Sequence, residues 1–121
     1  MPTVRELAAE SIGRITRRGL EPQIAQLEAA LDRGELPIAM APGRDGAVGV
    51  VVLITRDRLL VSAGAPFTQP ALATYLRDAV VSAAAAPGED AWTLSVEFAA
   101  ATTEIHGMFD RDAQRFAGFL T

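Results

Sequence analysis

His106 is the only histidine of the chain, and Glu104 stands two residues before it. On a strand the two side chains share a face, which sets an imidazole beside a carboxylate, the beginnings of a general base or a metal site. One histidine and one carboxylate are too few ligands, and the pair reads as a surface or structural histidine. The carboxylate clusters Glu89-Asp90 and Asp110-x-Asp112 offer acid–base groups, but they fall at a turn and at a helix start. There they read as turn and capping residues. No catalytic residue, metal site or cofactor is expected, and the chain reads as a non-enzyme.

The glycine-containing stretch Pro42 to Gly49 lacks the Gly-Lys-Ser/Thr ending of a phosphate loop and runs into a strand where a phosphate loop runs into a helix. It reads as a hairpin turn. Arg44, Arg56 and Arg58 are the candidates for holding an anion, because the two loops that carry them are expected at one open end of a barrel. Asp45 and Asp57 dilute that charge and favour solvated turns. Trp92 and Phe67 read as core aromatics. Phe119 falls off the inward stripe of the last helix and is the candidate for a partner contact.

The elements that must position these residues divide the chain in two. At 121 residues it fits one domain that needs no metal or disulfide to bury its core. The absence of cysteine suits a reducing cytoplasm, no apolar run reaches the roughly 20 residues of a membrane span, and no secretory signal follows Met1. A cytoplasmic protein is expected. Net charge is −4, and all eleven basic residues are arginine. Residues 1–34 carry five bases and five acids, while 35–121 carry six bases and ten acids. That field repels polyanions, so neither nucleic acid nor an anionic membrane is an expected partner.

In residues 1–34, Val4, Leu7, Ala8, Ile12 and Ile15 follow one helical face, with Thr3 and Glu6 placed as a capping box and Gly19 as the stop. A second helix is expected from Pro22 to Arg33-Gly34, with Ile24, Leu27, Ala30 and Leu31 on one side. The resulting hairpin is too small to fold alone and must pack on the rest of the chain or on another copy. In 35–121 the pattern turns to strands. They run over Leu36 to Ala41, from Gly46 through Ile54, over Leu59 to Ser62, over Trp92 to Phe98 and over Thr102 to Phe109. Thr103, Ile105, Gly107 and Phe109 are expected on one face of the last strand. A final helix, capped by Asp110, turns Ala113, Phe116, Ala117 and Leu120 inward. Residues 68–86 fit an alanine-rich helix or an edge strand, and the choice decides between two folds.

From Leu31 onward the order resembles the bacterial pleckstrin-homology-like (PH-like) domains. Leu31-Asp32-Arg33-Gly34-Glu35 matches their opening L-x-x-G-E, Thr55-Arg56-Asp57-Arg58-Leu59-Leu60 their Thr-x-x-Arg-Leu-Leu hairpin, and Ala113-x-x-Phe116-Ala117-x-x-Leu120 their terminal helix. Tyr75 to Val80 matches their I-P-L-x-x-I strand loosely and lacks its proline. The resemblance implies an α+β fold, with an antiparallel barrel or sandwich closed by the C-terminal helix and the helical hairpin added in front. The alternative, with 68–86 helical, is a roadblock- or profilin-like α/β sandwich. The implied function is a non-catalytic binding or assembly module for a protein partner or for itself, with a homo-oligomer expected through an exposed stripe on the hairpin. A lipid headgroup stays open. The rival function is small-molecule binding or hydrolysis in a pocket between hairpin and barrel, lined by Arg58, Glu104 and His106.

Overall fold

The computed structural model describes residues 2–89 and 91–121; Asp90, and with it half of the Glu89-Asp90 cluster, lies outside them. Thr3 and Glu6 form the expected capping box, Thr3 Oγ1 accepting from the Glu6 amide at 3.1 Å and Glu6 Oε1 from the Thr3 amide at 3.2 Å. The helix they open, α1 (Val4–Ser11), is shorter than its periodicity predicts. Ile12 turns extended (φ −124°, ψ 126°) and Gly13 starts a separate helix, α2 (Arg14–Gly19). Glycine is a poor helix interior residue, and the break buries Ile12 at 2% exposure. Arg17 Nη1 donates to the Ala9 and Ile12 carbonyls at the break. Ile15, expected on the apolar stripe, is rotated out of it to 88% exposure. A third helix, α3 (Glu21–Ala30), has Pro22 in its first turn and ends before the expected Arg33-Gly34.

Seven strands follow in two antiparallel sheets. β1 (Pro37–Asp45), β2 (Val48–Thr55), β3 (Arg58–Gly64) and β4 (Ala71–Leu76) form the first, in that order. β5 (Val80–Pro87), β6 (Trp92–Phe98) and β7 (Thr102–Met108) form the second. The segment expected as a loop from Pro42 is ladder up to Asp45, which pairs with Val48 across the two-residue turn Gly46-Ala47. Gly46 takes φ 61°, the left-handed value that tight hairpin turns ask of their first residue.

Residues 68–86 are not helical. Tertiary pairing overrides the helix preference of their alanines: β4 pairs with β3, β5 pairs with β6, and a single 3₁₀ turn at Arg77–Ala79 joins them. Tyr75 of β4 stacks on Phe98 of β6 with ring centroids 4.8 Å apart and accepts a hydrogen bond from Thr103 Oγ1 at 3.0 Å. A helix there would lose both contacts.

β1 to β3 of the first sheet are covered on both faces, while β4 is largely exposed. Ala39, Ala41, Val50, Val52, Ile54 and Leu59 point to the second sheet and to the C-terminal helix α4 (Asp110–Leu120), where they meet Leu94, Val96, Ile105, Ala113, Phe116 and Leu120. Met40, Val51, Leu53 and Leu60 point the other way, into Val4, Leu7, Ile12, Leu20, Ile24 and Leu27 of the helices. The fold is therefore an α+β sandwich with a helical layer outside the four-stranded sheet. The apolar stripe expected to await another protomer is covered by the chain's own sheet.

The barrel expected from the resemblance is not closed. β1 and β7 approach each other but belong to separate sheets, as do β4 and β5 on either side of the 3₁₀ turn. The approach requires glycine: a Cβ on Gly43 would lie 2.8 Å from the His106 carbonyl, and one on Gly107 2.8 Å from the Arg44 amide nitrogen. Gly107 (φ 65°) forms a bulge, where the pairing slips between Trp92–Met108 and Leu94–Ile105. The slip reverses the expected faces, so Met108 is fully buried and Phe109 is 68% exposed. Phe109, not Asp110, is then the N-cap of α4, and Asp110 Oδ1 accepts from the Arg111 amide in the first turn.

Gly107→Ala combines a left-handed φ with a backbone clash, whereas Gly46→Ala meets the φ alone, with no atom within 4 Å. Urea unfolding is expected to lose about 3 kcal/mol for Gly107→Ala and about 1 kcal/mol for Gly46→Ala. Equal losses would show that the β1–β7 approach is not tight.

Candidate functional site

The arginines expected at one end of the fold are divided between two. Successive hairpins place the β1–β2 and β2–β3 turns at opposite ends of β2, so Arg44, opposite Gly49, stands six residues from Thr55 and the Arg56–Arg58 turn. At about 3.3 Å per residue the separation is about 20 Å. Phe119 falls at the Arg56 and Arg58 end. Its ring packs edge-on against Phe116 and is half-buried in the core, not standing free on the surface.

At that end the guanidinium of Arg58 is already engaged. Its Nε donates to Glu35 Oε2 at 2.9 Å, its Nη2 to the Ala30 carbonyl at 2.9 Å and to Glu35 Oε1, with Asp32 at 3.8 Å. Thr55 Oγ1 donates to the same carboxylate at 2.8 Å and accepts from the Arg58 amide at 3.0 Å. The Glu35 side chain is only 8% exposed. Hydrogen bonding from Arg58 holds its carboxyl at a pKa of about 2, against the opposing effect of burial, and the carboxylate in turn raises Arg58.

Sequence reasoning gave no role to Arg77, which completes this end. Its Nη1 donates to the Thr55 and Arg56 carbonyls at 3.0 and 3.2 Å, and its Nη2 to the Phe119 carbonyl at 2.6 Å. A cation on the last carbonyls of α4 also suits the helix dipole. Arg56 itself is exposed, and its carbonyl rather than its guanidinium is what the network uses.

His106 and Glu104 do share a face of β7, with His106 Nε2 3.5 Å from Glu104 Oε2 and Nδ1 3.2 Å from Thr93 Oγ1. Both are about half exposed, and among the described residues no group of three potential metal ligands is present.

A cavity of about 400 Å³ does lie between helices and sheet, but at the Arg44 end, and none of Arg58, Glu104 and His106 lines it. Thr16, Gly19, Leu20, Pro22 and Gln23 of the α2–α3 junction wall it, β1 contributes Pro42 to Arg44, and the β3–β4 loop contributes Ala65 to Phe67. Gly43, Gly49, Gly64 and Gly107 bare the main chain on its surface. Gln23, 4% exposed, donates from Nε2 to the Gly49 and Gly64 carbonyls at 3.1 and 3.2 Å and so clips β2 to β3. Its Oε1 is the one buried side-chain polar atom among the described residues without a partner. Phe67, expected in the core, is fully exposed at the rim in the left-handed region, φ 63°. The signal for this site in the sequence is faint: a glutamine on the inward side of α3 and glycines at strand ends.

The fold and its cavity define a small α+β sandwich with a helical outer layer. The chain matches no family model, no curated protein and no solved structure.

Glu35 titrates far lower when folded than its ordinary value of 4.5, so the stability it contributes is complete above that value and lost as pH falls toward 2. Glu35→Gln should therefore cost about 2 kcal/mol near neutral pH, a charged hydrogen-bonded pair being worth that much. The two proteins should converge in chemical-denaturation measurements near pH 2. A gap that is constant with pH would show that the charge of Glu35 contributes nothing.

Proposed function

We propose that the chain is a non-catalytic binding and assembly module of PH-like architecture, working in the cytoplasm, that joins a second copy of itself through the free edge of β5. Antiparallel strands followed by a closing helix support the PH-like reading, whereas its opening strand at residues 31–35 is a loop here and its strand at 75–80 is interrupted by the 3₁₀ turn. The cytoplasmic reading rests on the lack of cysteine. Among the described residues no helix is long and apolar enough to cross a membrane.

The observation that carries the assembly reading is the composition of β5. Val80–Pro87 is eight residues of Val, Ser, Ala and Pro, paired with β6 on one side only. Exposed edges are normally blunted by charge, and here only the bulge at Val80/Ser82 and the terminal Pro87 do so. Val81 and Leu76 stand 62% and 61% exposed around the corner that leads into it. A neutral edge on a chain of net charge −4 is also where two copies approach with least repulsion, and antiparallel pairing of β5 with its mate gives a closed two-fold contact. The half-exposed His106–Glu104 pair and the mutually neutralised Glu35 and Arg58 support a role without catalysis.

Light scattering on the full chain at high micromolar concentration should give twice the 12.8 kDa chain mass. The double variant Ser82→Lys/Ala84→Lys, which puts charge on the outer side of the edge, should give a single chain with an unchanged melting curve. A monomeric parent protein, or a variant that still dimerises, overturns the proposal.

A further inference from the structure

The cavity at the Arg44 end is independent of the β5 edge, and we infer that it binds a small planar anion: an aromatic ring bearing an acidic group and a hydrogen-bond donor. Its 400 Å³ suits a molecule of that size. Two of the most exposed large apolar side chains of the described chain, Phe67 and Phe109, stand at its mouth. Between them the surface is main chain of Gly43, Gly49, Gly64 and Gly107, whose missing Cβ atoms let Leu20, Pro70 and the Arg44 backbone pack closely around the cavity.

Charge selects the acidic group. Arg44 Nε donates to the Gly46 carbonyl at 3.0 Å, which fixes the guanidinium at the rim, and among the described residues its Nη atoms have no hydrogen bond or ion pair. Asp45, next in the strand, alternates to the opposite side. Among the described residues Arg44 is the only charged side chain that lines the cavity, so the charge at its rim is positive on a chain that is acidic overall. A fork of guanidinium donors suits a carboxylate, sulfonate or phosphate.

Two further features are unexplained by folding alone. The buried Gln23 Oε1 is an acceptor without a donor beside the cavity, a condition native proteins seldom leave unanswered. Phe67 holds a backbone conformation that costs an L-residue energy while its ring gains no burial. Strain of that kind gathers at binding sites, where the rest of the fold enforces it.

The test uses 1-anilinonaphthalene-8-sulfonate, which combines aromatic rings, an N–H donor and an anion, against its neutral analogue without the sulfonate. Titrated into the native full chain, the sulfonate should saturate at one molecule per chain and shift the backbone amide resonances of Gly43, Gly49, Gly64 and Gly107. Arg44→Gln should weaken the sulfonate about tenfold, the loss of one charged contact, and leave the neutral analogue unchanged. Phe67→Gly, at an exposed left-handed position, should keep the melting temperature and weaken both. Absence of saturable binding, resonance shifts centred on β4 and β5, or equal affinity in the two variants and the parent would overturn the inference.

Discussion

A strand that buries both of its faces must be covered twice, and β2 is that strand. Val51 to Thr55 is fully buried, so the continuous apolar run needs one layer of cover on each side. The second sheet and α4 supply the inner cover, and α1 to α3 supply the outer one. The N-terminal helices are therefore part of the hydrophobic core. Without them Met40, Val51, Leu53 and Leu60, each fully buried, would form an exposed apolar face, the kind of surface that drives aggregation.

Hydrophobic cover is non-directional, and polar links at one end fix how the layers sit. Glu35 and Arg58 tie the end of α3 to the β2–β3 turn through the Ala30 carbonyl. Arg77 ties that same turn to the 3₁₀ corner and to the last carbonyls of α4. Every layer thus meets around Thr55. Toward the opposite end the links are neutral: Gln26 Nε2 donates to the Pro70 carbonyl and its Oε1 accepts from Ser62 Oγ, while Gln23 clips β2 to β3 with half of its amide unpartnered. The molecule has one end closed by ion pairs and one end held by glycine contacts, with a cavity left in it.

Much of this was legible in the sequence, for local reasons. The capping box at Thr3 and Glu6, the buried pair around Thr55 to Arg58, the alternation of Trp92 to Phe98 and the stripe Ala113, Phe116, Leu120 all speak through nearest neighbours. What misled was non-local. The alanines of β5 carry helix propensity, and only pairing with β6 makes them a strand. The face of Met108 depends on a bulge that one glycine permits beside Arg44, a residue more than sixty positions earlier. The candidate site is the least legible part, because only a closed barrel would bring the three arginines together and this one does not close. Hairpin parity alone puts Arg44 and Arg58 at opposite ends of β2.

That parity also separates what each end can do. The charged groups around Thr55 neutralise one another, and opening them to a ligand would leave a buried carboxylate or guanidinium without its partner, which costs several kcal/mol. The glycine end has no such commitment. Its polar groups are main chain and the neutral Gln23 amide, its arginine is held by one hydrogen bond, and its Phe67 and Phe109 rings bury little of their own surface. Regions that few buried contacts hold are the ones that can open and close around a guest without unfolding the rest. Strong polar closure at one end therefore allows loose packing at the other, since β2 and its two covers are already fixed in register before the cavity is reached.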